Sequence, residues 1–161
     1  MKAINLLPFI MVMSTILMSC EKDDANAVKE NEMFVKSTSY IVYRSFLIAS
    51  SQPGCPNTVA AITSYGANSS GDSCYMFFYN LDSRTAGTAS IVEPFISGGQ
   101  CRAYILGGYK KAGQNSYTLT NSTFEGELTY TTTSYKLEGA KFYDRAVGGL
   151  TTYDVRASGK F

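Results

Sequence analysis

Strict alternation of apolar and polar side chains is the feature that most constrains the fold of this chain. In TFEGELTYTT (123–132), the apolar residues and a glycine fall at even positions from Phe124 to Tyr130, and polar residues fall between them. TTYDVRASGKF (151–161) repeats the pattern, with Tyr153, Val155 and Ala157 on one face. A period of two predicts β-strands with one face buried and the other in water.

Three other segments are apolar on both faces: SYIVYRSFLIAS (39–50), CYMFFYNL (74–81) and CRAYILGGY (101–109). Such runs predict strands that are covered on both sides, by a second sheet or within a barrel. Turn-forming residues separate all these segments, and the chain is rich in tyrosine, with 12, and phenylalanine, with 9. The sequence therefore predicts an all-β fold, an antiparallel β-sandwich or barrel of about eight strands.

Local signals refine this prediction. A phase slip at Gly139 predicts a β-bulge, and Gly148-Gly149 predicts the turn into the last strand. Pro94 predicts that ASIVEPFI (89–96) is an edge strand or a bulged strand. Residues 57–66 allow either a short helix capped by Asn57 or a strand, and their β-branched residues favour the strand.

The N-terminal stretch has the layout of an export signal. A charged Lys2 precedes an uncharged apolar run that is short for a membrane span and ends at the small residue Ser19, which predicts a signal peptide over residues 1–19. The tetrad Leu17-Met18-Ser19-Cys20 resembles the lipobox of bacterial lipoproteins, in which the cysteine thiol carries diacylglycerol and becomes the new N-terminus. The alternatives are an N-terminal helix with a core cysteine or an uncleaved anchor.

The residues after Cys20 extend this resemblance. Glu21-Lys22-Asp23-Asp24 is similar to the acidic export signal of surface lipoproteins in Bacteroidota. It implies an outer-membrane protein anchored through the lipid on Cys20, on the extracellular face or alternatively on the periplasmic face. Residues 20–32 are expected to form a flexible tether and 33–161 a single β-domain. From Phe77 onward the pattern resembles small β-sandwich lipoproteins of unassigned function, which implies a fold and no activity.

Export favours disulfides among the three remaining cysteines, Cys55, Cys74 and Cys101. Three single pairings are possible. If Cys74 and Cys101 each open a strand and ASIVEPFI runs between them, both lie at one end of the sheet, which predicts a Cys74–Cys101 bond. The alternative is that all three stay reduced.

The absence of histidine excludes Ser-His-Asp and Cys-His catalysis. The sequence contains no Cys-x-x-Cys pair, so a structural metal site is not expected. It also contains no glycine-rich phosphate-binding loop, so no cofactor is expected. The only adjacent basic pair is Lys110-Lys111, so nucleic acid is not an expected partner. A carboxylate-based glycoside hydrolase would have to draw on four acidic candidates, whose spacing places no pair together: Asp72, Asp82, Glu93 and Glu138.

Tyrosine is the remaining functional signal. Tyr104, Tyr109, Tyr117 and Tyr135 flank predicted loops and are suited to contact a glycan or an envelope protein. The alternative is that they pack as ordinary β-sheet residues. The sequence favours a binding or accessory module without catalysis, with a structural subunit of an envelope assembly and the hydrolase as alternatives. It leaves the oligomeric state open.

Overall fold

The computed structural model describes residues 29–51, 54–55, 57–92, 101–122, 125–144 and 151–161. The predicted signal peptide, Cys20 and most of the tether lie outside these residues, as do Glu93, Pro94, Phe124 and the Gly148-Gly149 turn. No described segment is helical, so none is a long apolar helix of the kind that crosses a membrane. The described residues form ten strands: β1 (Glu32–Val35), β2 (Thr38–Ala49), β3 (Ala60–Ala67), β4 (Ser73–Leu81), β5 (Gly87–Ser90), β6 (Tyr104–Lys110), β7 (Thr118–Ser122), β8 (Glu127–Tyr130), β9 (Ser134–Asp144) and β10 (Thr152–Lys160).

Eight of these strands close into an antiparallel barrel, which confirms the all-β prediction and selects the barrel over the sandwich. Their order is β10-β1-β2-β3-β4-β6-β7-β9, and β9 pairs with β10 to close the ring. β8 pairs with the first half of β9, and β5 extends the sheet beyond β8 as an edge strand. Residues 60–67 are the strand β3, as the sequence favoured. Of ASIVEPFI, Ala89 and Ser90 belong to the edge strand β5.

Side chains fill the barrel interior, as expected for a ring of eight strands. The alternating residues of each strand point inward, and the largest that are fully buried include Tyr40, Phe78 and Phe142. The predicted inward faces of β8 and β10 are confirmed at Leu128 and Val155, which are 0% and 2% exposed. This packing leaves the outer surface and the two ends of the barrel as places for function.

The predicted bulge at Gly139 is confirmed. Val155 pairs with Ala140 and Ala157 pairs with Leu137, so β9 carries one extra residue at this point. Gly139 has φ 63°, a left-handed conformation that glycine adopts without the steric cost of a Cβ. The bulge returns Ala140 and Phe142 to the interior.

The disulfide prediction is wrong. Cys55 bonds Cys101, with Cα atoms 5.3 Å apart, and Cys74 is a buried free thiol. The reason is topological: β5 pairs with β8, so β4 and β6 are direct antiparallel neighbours and begin at opposite ends of the barrel. Cys74 lies opposite Tyr109, which is near the last residue of β6. Cys101 comes before the first residue of β6, at the other end of that strand.

We call the end with the β1–β2 turn the near end and the opposite end the far end. The near end carries the turns at 36–37, 68–72 and 111–117, and the far end carries the Cys55–Cys101 disulfide and the turn at 131–133. In the chain-entropy model, a disulfide that spans 46 residues contributes about 4 kcal/mol.

Candidate functional site

The outer surface of β2, β3, β4, β6 and β7 is apolar. Ile41 and Tyr43 on β2 are 69% and 66% exposed, so the expectation that β2 is covered on both faces is wrong. We call this surface the aromatic face and define it by these side chains: Ile41, Tyr43, Phe46, Ile48, Tyr65, Tyr75, Phe77, Tyr79, Tyr104, Leu106, Tyr117 and Leu119. Contiguous exposed apolar surface of this kind marks interaction sites in soluble domains.

Strand register makes the aromatic face continuous. Tyr65 of β3 lies beside Tyr75 of β4, and Phe77 of β4 lies beside Leu106 of β6. Leu119 of β7 continues the surface beside Gly108. Because side chains that face each other across paired strands are in contact range, the face is one surface rather than scattered residues.

The rings contact one another along this surface. Tyr75 and Phe77 have ring centroids 5.0 Å apart, and Tyr117 meets Tyr75 edge to face at 4.9 Å. Further along, Tyr79 stacks on Tyr104 at 5.0 Å with 19° between the planes. Aromatic pairs of this geometry stabilise each other beyond the apolar area that they bury, so the rings of this face pack against one another within the fold.

The charges at this surface are positive. Arg44 lies over the Phe46 ring, 4.6 Å from its centroid, and the Lys110 ammonium lies 5.1 Å from that of Tyr117. The five strands that carry this face, β2, β3, β4, β6 and β7, contain no acidic residue. A cation over a ring stays available to an incoming carboxylate while its stem covers apolar surface.

The structure divides the four predicted tyrosines. Tyr104 and Tyr117 lie on the aromatic face, where Tyr117 is 37% exposed and its hydroxyl lies 3.0 Å from Ser73 Oγ. Tyr135 is 3% exposed, so the expectation that it contacts a ligand is wrong. Its hydroxyl donates to Ser64 Oγ at 2.7 Å, and burial raises the pKa of this phenol above its usual value. Tyr75, Phe77 and Tyr79 were not identified as surface residues from the sequence. Because β4 is apolar on both faces, its sequence shows no alternation of apolar and polar residues that would tell the outer face from the inner one.

Tyr109 belongs to a polar cluster at the near end. Its hydroxyl donates to Asp144 Oδ2 at 3.0 Å, Tyr153 donates to Oδ1 at 2.8 Å, and Lys36 Nζ lies 3.1 Å from Oδ2. Burial opposes ionisation of Asp144, but these donors outweigh it and hold the pKa of the carboxyl below its usual value. The hydrogen bonds to Tyr109 and Asp144 in turn raise the pKa of Lys36. Asp144 is satisfied within the fold, so this cluster closes the near end rather than awaiting a ligand.

The acidic candidates do not converge. Asp72 lies in the near-end turn before β4, where it accepts hydrogen bonds from Ala112 N and Lys111 Nζ. Asp82 follows the far end of β4, roughly 30 Å away for nine residues of strand. Glu138 forms an exposed ion pair with Lys136, and Glu93 lies outside the described residues. Within the described part of the chain, no group of three acidic or cysteine side chains is arranged to hold a metal ion.

The fold and this surface define a small antiparallel β-barrel with a filled interior and an exposed aromatic face. Comparison with known protein families, with curated proteins and with solved structures gives no match.

Proposed function

We propose that this protein is a lipid-anchored module of the cell envelope, displayed on the extracellular face of the outer membrane, which binds another envelope macromolecule without catalysis. The observation that carries the binding role is the aromatic face, whose exposed apolar residues have no cover among the described residues. The anchor rests on the lipobox-like tetrad at Leu17–Cys20 and on the acidic segment that follows it.

The ring geometry supports a protein partner over a glycan. Stacking of a sugar needs an open ring face, whereas Tyr79 and Tyr104 each turn one face toward the other. Tyrosine edges and hydroxyls beside aliphatic residues are typical of the core of a protein interface. A long polar tether between lipid and barrel gives such a face freedom to reach a neighbour.

Photo-crosslinking in intact cells tests the binding role. A photoreactive phenylalanine analogue replaces Tyr43, the most exposed ring of the aromatic face, and in a matched variant it replaces the exposed Thr129 on β8. We expect irradiation to give a discrete adduct from position 43 and none from position 129. Equal adducts at both positions, or none at position 43, would remove the support for a specific binding face.

A Cys20→Ala variant is the control for the anchor. It is expected to lose incorporation of a fatty-acid label and to leave the membrane fraction. Protease added to intact cells should remove the barrel from the wild type, and protection until lysis would place the protein on the periplasmic face instead.

A further inference from the structure

Among the described residues, one edge of β2 has no partner strand over half its length. β1 pairs with β2 only from Thr38 to Ile41, and the last bond on this side runs from Val42 N to Asn31 O at 2.8 Å. β2 continues to Ala49. No strand among the described residues pairs with this edge beyond Val42.

The chain before β1 turns away from this edge. Asn31 has φ 55°, and its side-chain oxygen accepts a hydrogen bond from Lys160 N. Ser158 Oγ donates to Lys29 O at 2.6 Å, so the chain is held against β10. The left-handed turn at Asn31 therefore limits β1 at its N-terminal side, and no strand in the described part of the chain covers the second half of β2 on this side.

Backbone alternation identifies the groups of β2 that have no partner strand among the described residues. Ser50 N donates to Val59 O at 3.1 Å, so the backbone groups of the even-numbered residues of this half face β3. The N–H and C=O groups of Leu47 and Ala49 then face away from β3. An edge of this kind is a template for one more strand.

A groove of about 460 Å³ runs beside these groups. Residues 45–49 of β2 line it together with Arg84, Thr132 and Phe161. Gly159 comes close to Ser45, so the opening lies between Phe46 and Ala49. Phe46 and Ile48, 37% and 46% exposed, flank it on the outer surface.

The groove is positively charged. Arg84 lies in its wall with Nε 3.1 Å from Val59 O, and Arg44 lies over Phe46. Neither guanidinium forms an ion pair with a carboxylate of the described residues. An occupant with an acidic side chain would neutralise this charge.

We propose that an extended segment of a partner protein, with alternating apolar residues and an acidic residue, adds as a strand to the β2 edge at Leu47 and Ala49. Main-chain hydrogen bonds supply the affinity, and the groove with Arg84 supplies the selectivity. This inference rests on the proposed function, since it names how the partner of the binding module is held.

Two other occupants of this edge, a second copy of the protein and the chain's own N-terminal segment, fit the groove less well. A second copy would bring its own Arg44 and Arg84 to the same groove, which places like charges together. The chain's own segment before β1, CEKDDANAV (20–28), offers few apolar residues for an apolar groove.

Amide exchange with defined peptides tests the proposal. The protein is purified from membranes in detergent and titrated with the acetylated, amidated peptides TVEVTV and TVKVTV. TVEVTV should slow exchange of the Leu47 and Ala49 amides by about tenfold or more, because they gain partners. The amides of Phe46 and Ile48, already in the ladder with β3, should not change. TVKVTV should bind more weakly.

Two variants at one position control for folding. Ala49→Pro removes an edge N–H without touching the bonds to β3, and should weaken TVEVTV binding about tenfold. Ala49→Val keeps the N–H and should bind like the wild type. Equal binding by both variants would overturn the proposal.

The competing occupants give distinct results. Either competitor would make the Leu47 and Ala49 amides exchange slowly without peptide. If deletion of residues 21–28 then makes their exchange fast, the chain's own segment occupies the edge. If dilution makes it fast, a second copy of the protein occupies the edge. Failure of TVEVTV to bind while the Tyr43 adduct persists would overturn strand addition alone. Failure of both would overturn the binding function as well.

Discussion

At the scale of single residues, the buried thiol of Cys74 separates two disulfide arrangements. Cys74 is 3% exposed inside the barrel, and burial raises the pKa of its thiol. In a Cys20→Ala variant, we expect no reaction of the folded protein with a thiol reagent at pH 8, because the thiolate is the reactive form. One thiol per chain should react after unfolding without reductant.

The Cys74–Cys101 pairing would give the opposite behaviour before unfolding. Cys55 would then be the free thiol, and it is only partly buried in a far-end loop. A thiol that reacts in the folded state would therefore contradict the structure. Cys74→Ala in the same Cys20→Ala background should show no thiol in either state.

Residue type alone did not distinguish the buried tyrosines from those on the aromatic face. Tyr135 shares an alternating face with the buried Leu137, and this pattern, given more weight than its position beside a loop, would have placed it inside. Tyr104 and Tyr75 carry no such signal, because apolar residues alternate with other apolar residues on both β6 and β4. Which of two apolar faces turns outward is decided by strand pairing around the barrel, and not by local sequence.

At the scale of elements, the bulge in β9 depends on Gly139. Its φ of 63° penalises a side chain, while the space around an added Cβ is open, with no atom nearer than 4.0 Å. Gly139→Ala should therefore lower the free energy of unfolding by about 1 kcal/mol through backbone conformation alone. Urea denaturation of the two proteins measures the loss.

Gly139→Asn is the matched control for this prediction. Asparagine adopts the left-handed region more readily than alanine, so the loss should be smaller. Equal losses for Asn and Ala would indicate that crowding, rather than the backbone conformation of the bulge, sets the cost.

The elements differ in how far the sequence predicted them. β10 and the bulge follow from period-two patterns and were predicted at the correct residues, whereas β8 occupies only Glu127–Tyr130 of the predicted segment 123–132. The extent of β1 was not predictable, because Asn31 and its contacts with β10 are 129 residues apart in sequence. The edge of β2 that has no partner strand among the described residues could therefore be recognised only in the folded chain.

At the scale of the whole molecule, strand order was the largest unknown. Sequence proximity suggested that the segment after β4 returns beside it, whereas β5 pairs with β8 and β6 takes the place next to β4. Neighbouring segments usually pair, but a barrel closes through contacts that are distant in sequence, as between β1 and β10. The wrong disulfide followed from this single assumption about order.

The Asp144 cluster connects the β1–β2 turn, β6, β9 and β10, so it should link barrel stability to pH. The folded pKa of Asp144 is held below its unfolded value. Its stabilisation is therefore complete above the unfolded pKa, about 3.9, and is lost as pH falls through the folded value. Asp144→Asn should lower the free energy of unfolding at pH 7 by about 1–3 kcal/mol, because it removes a hydrogen-bonded charge.

The test compares wild type and Asp144→Asn by urea denaturation from pH 7 to pH 2. The difference in the free energy of unfolding should be constant down to about pH 5 and then shrink, because the wild-type carboxyl becomes neutral like the amide. Glu138→Gln is the control: its pair with Lys136 is more than half exposed at the carboxylate, so the change should stay below about 0.5 kcal/mol. A difference that persists unchanged to pH 2 would mean that the Asn variant loses shape complementarity rather than charge, and that the charge of Asp144 does not stabilise the closed end of the barrel.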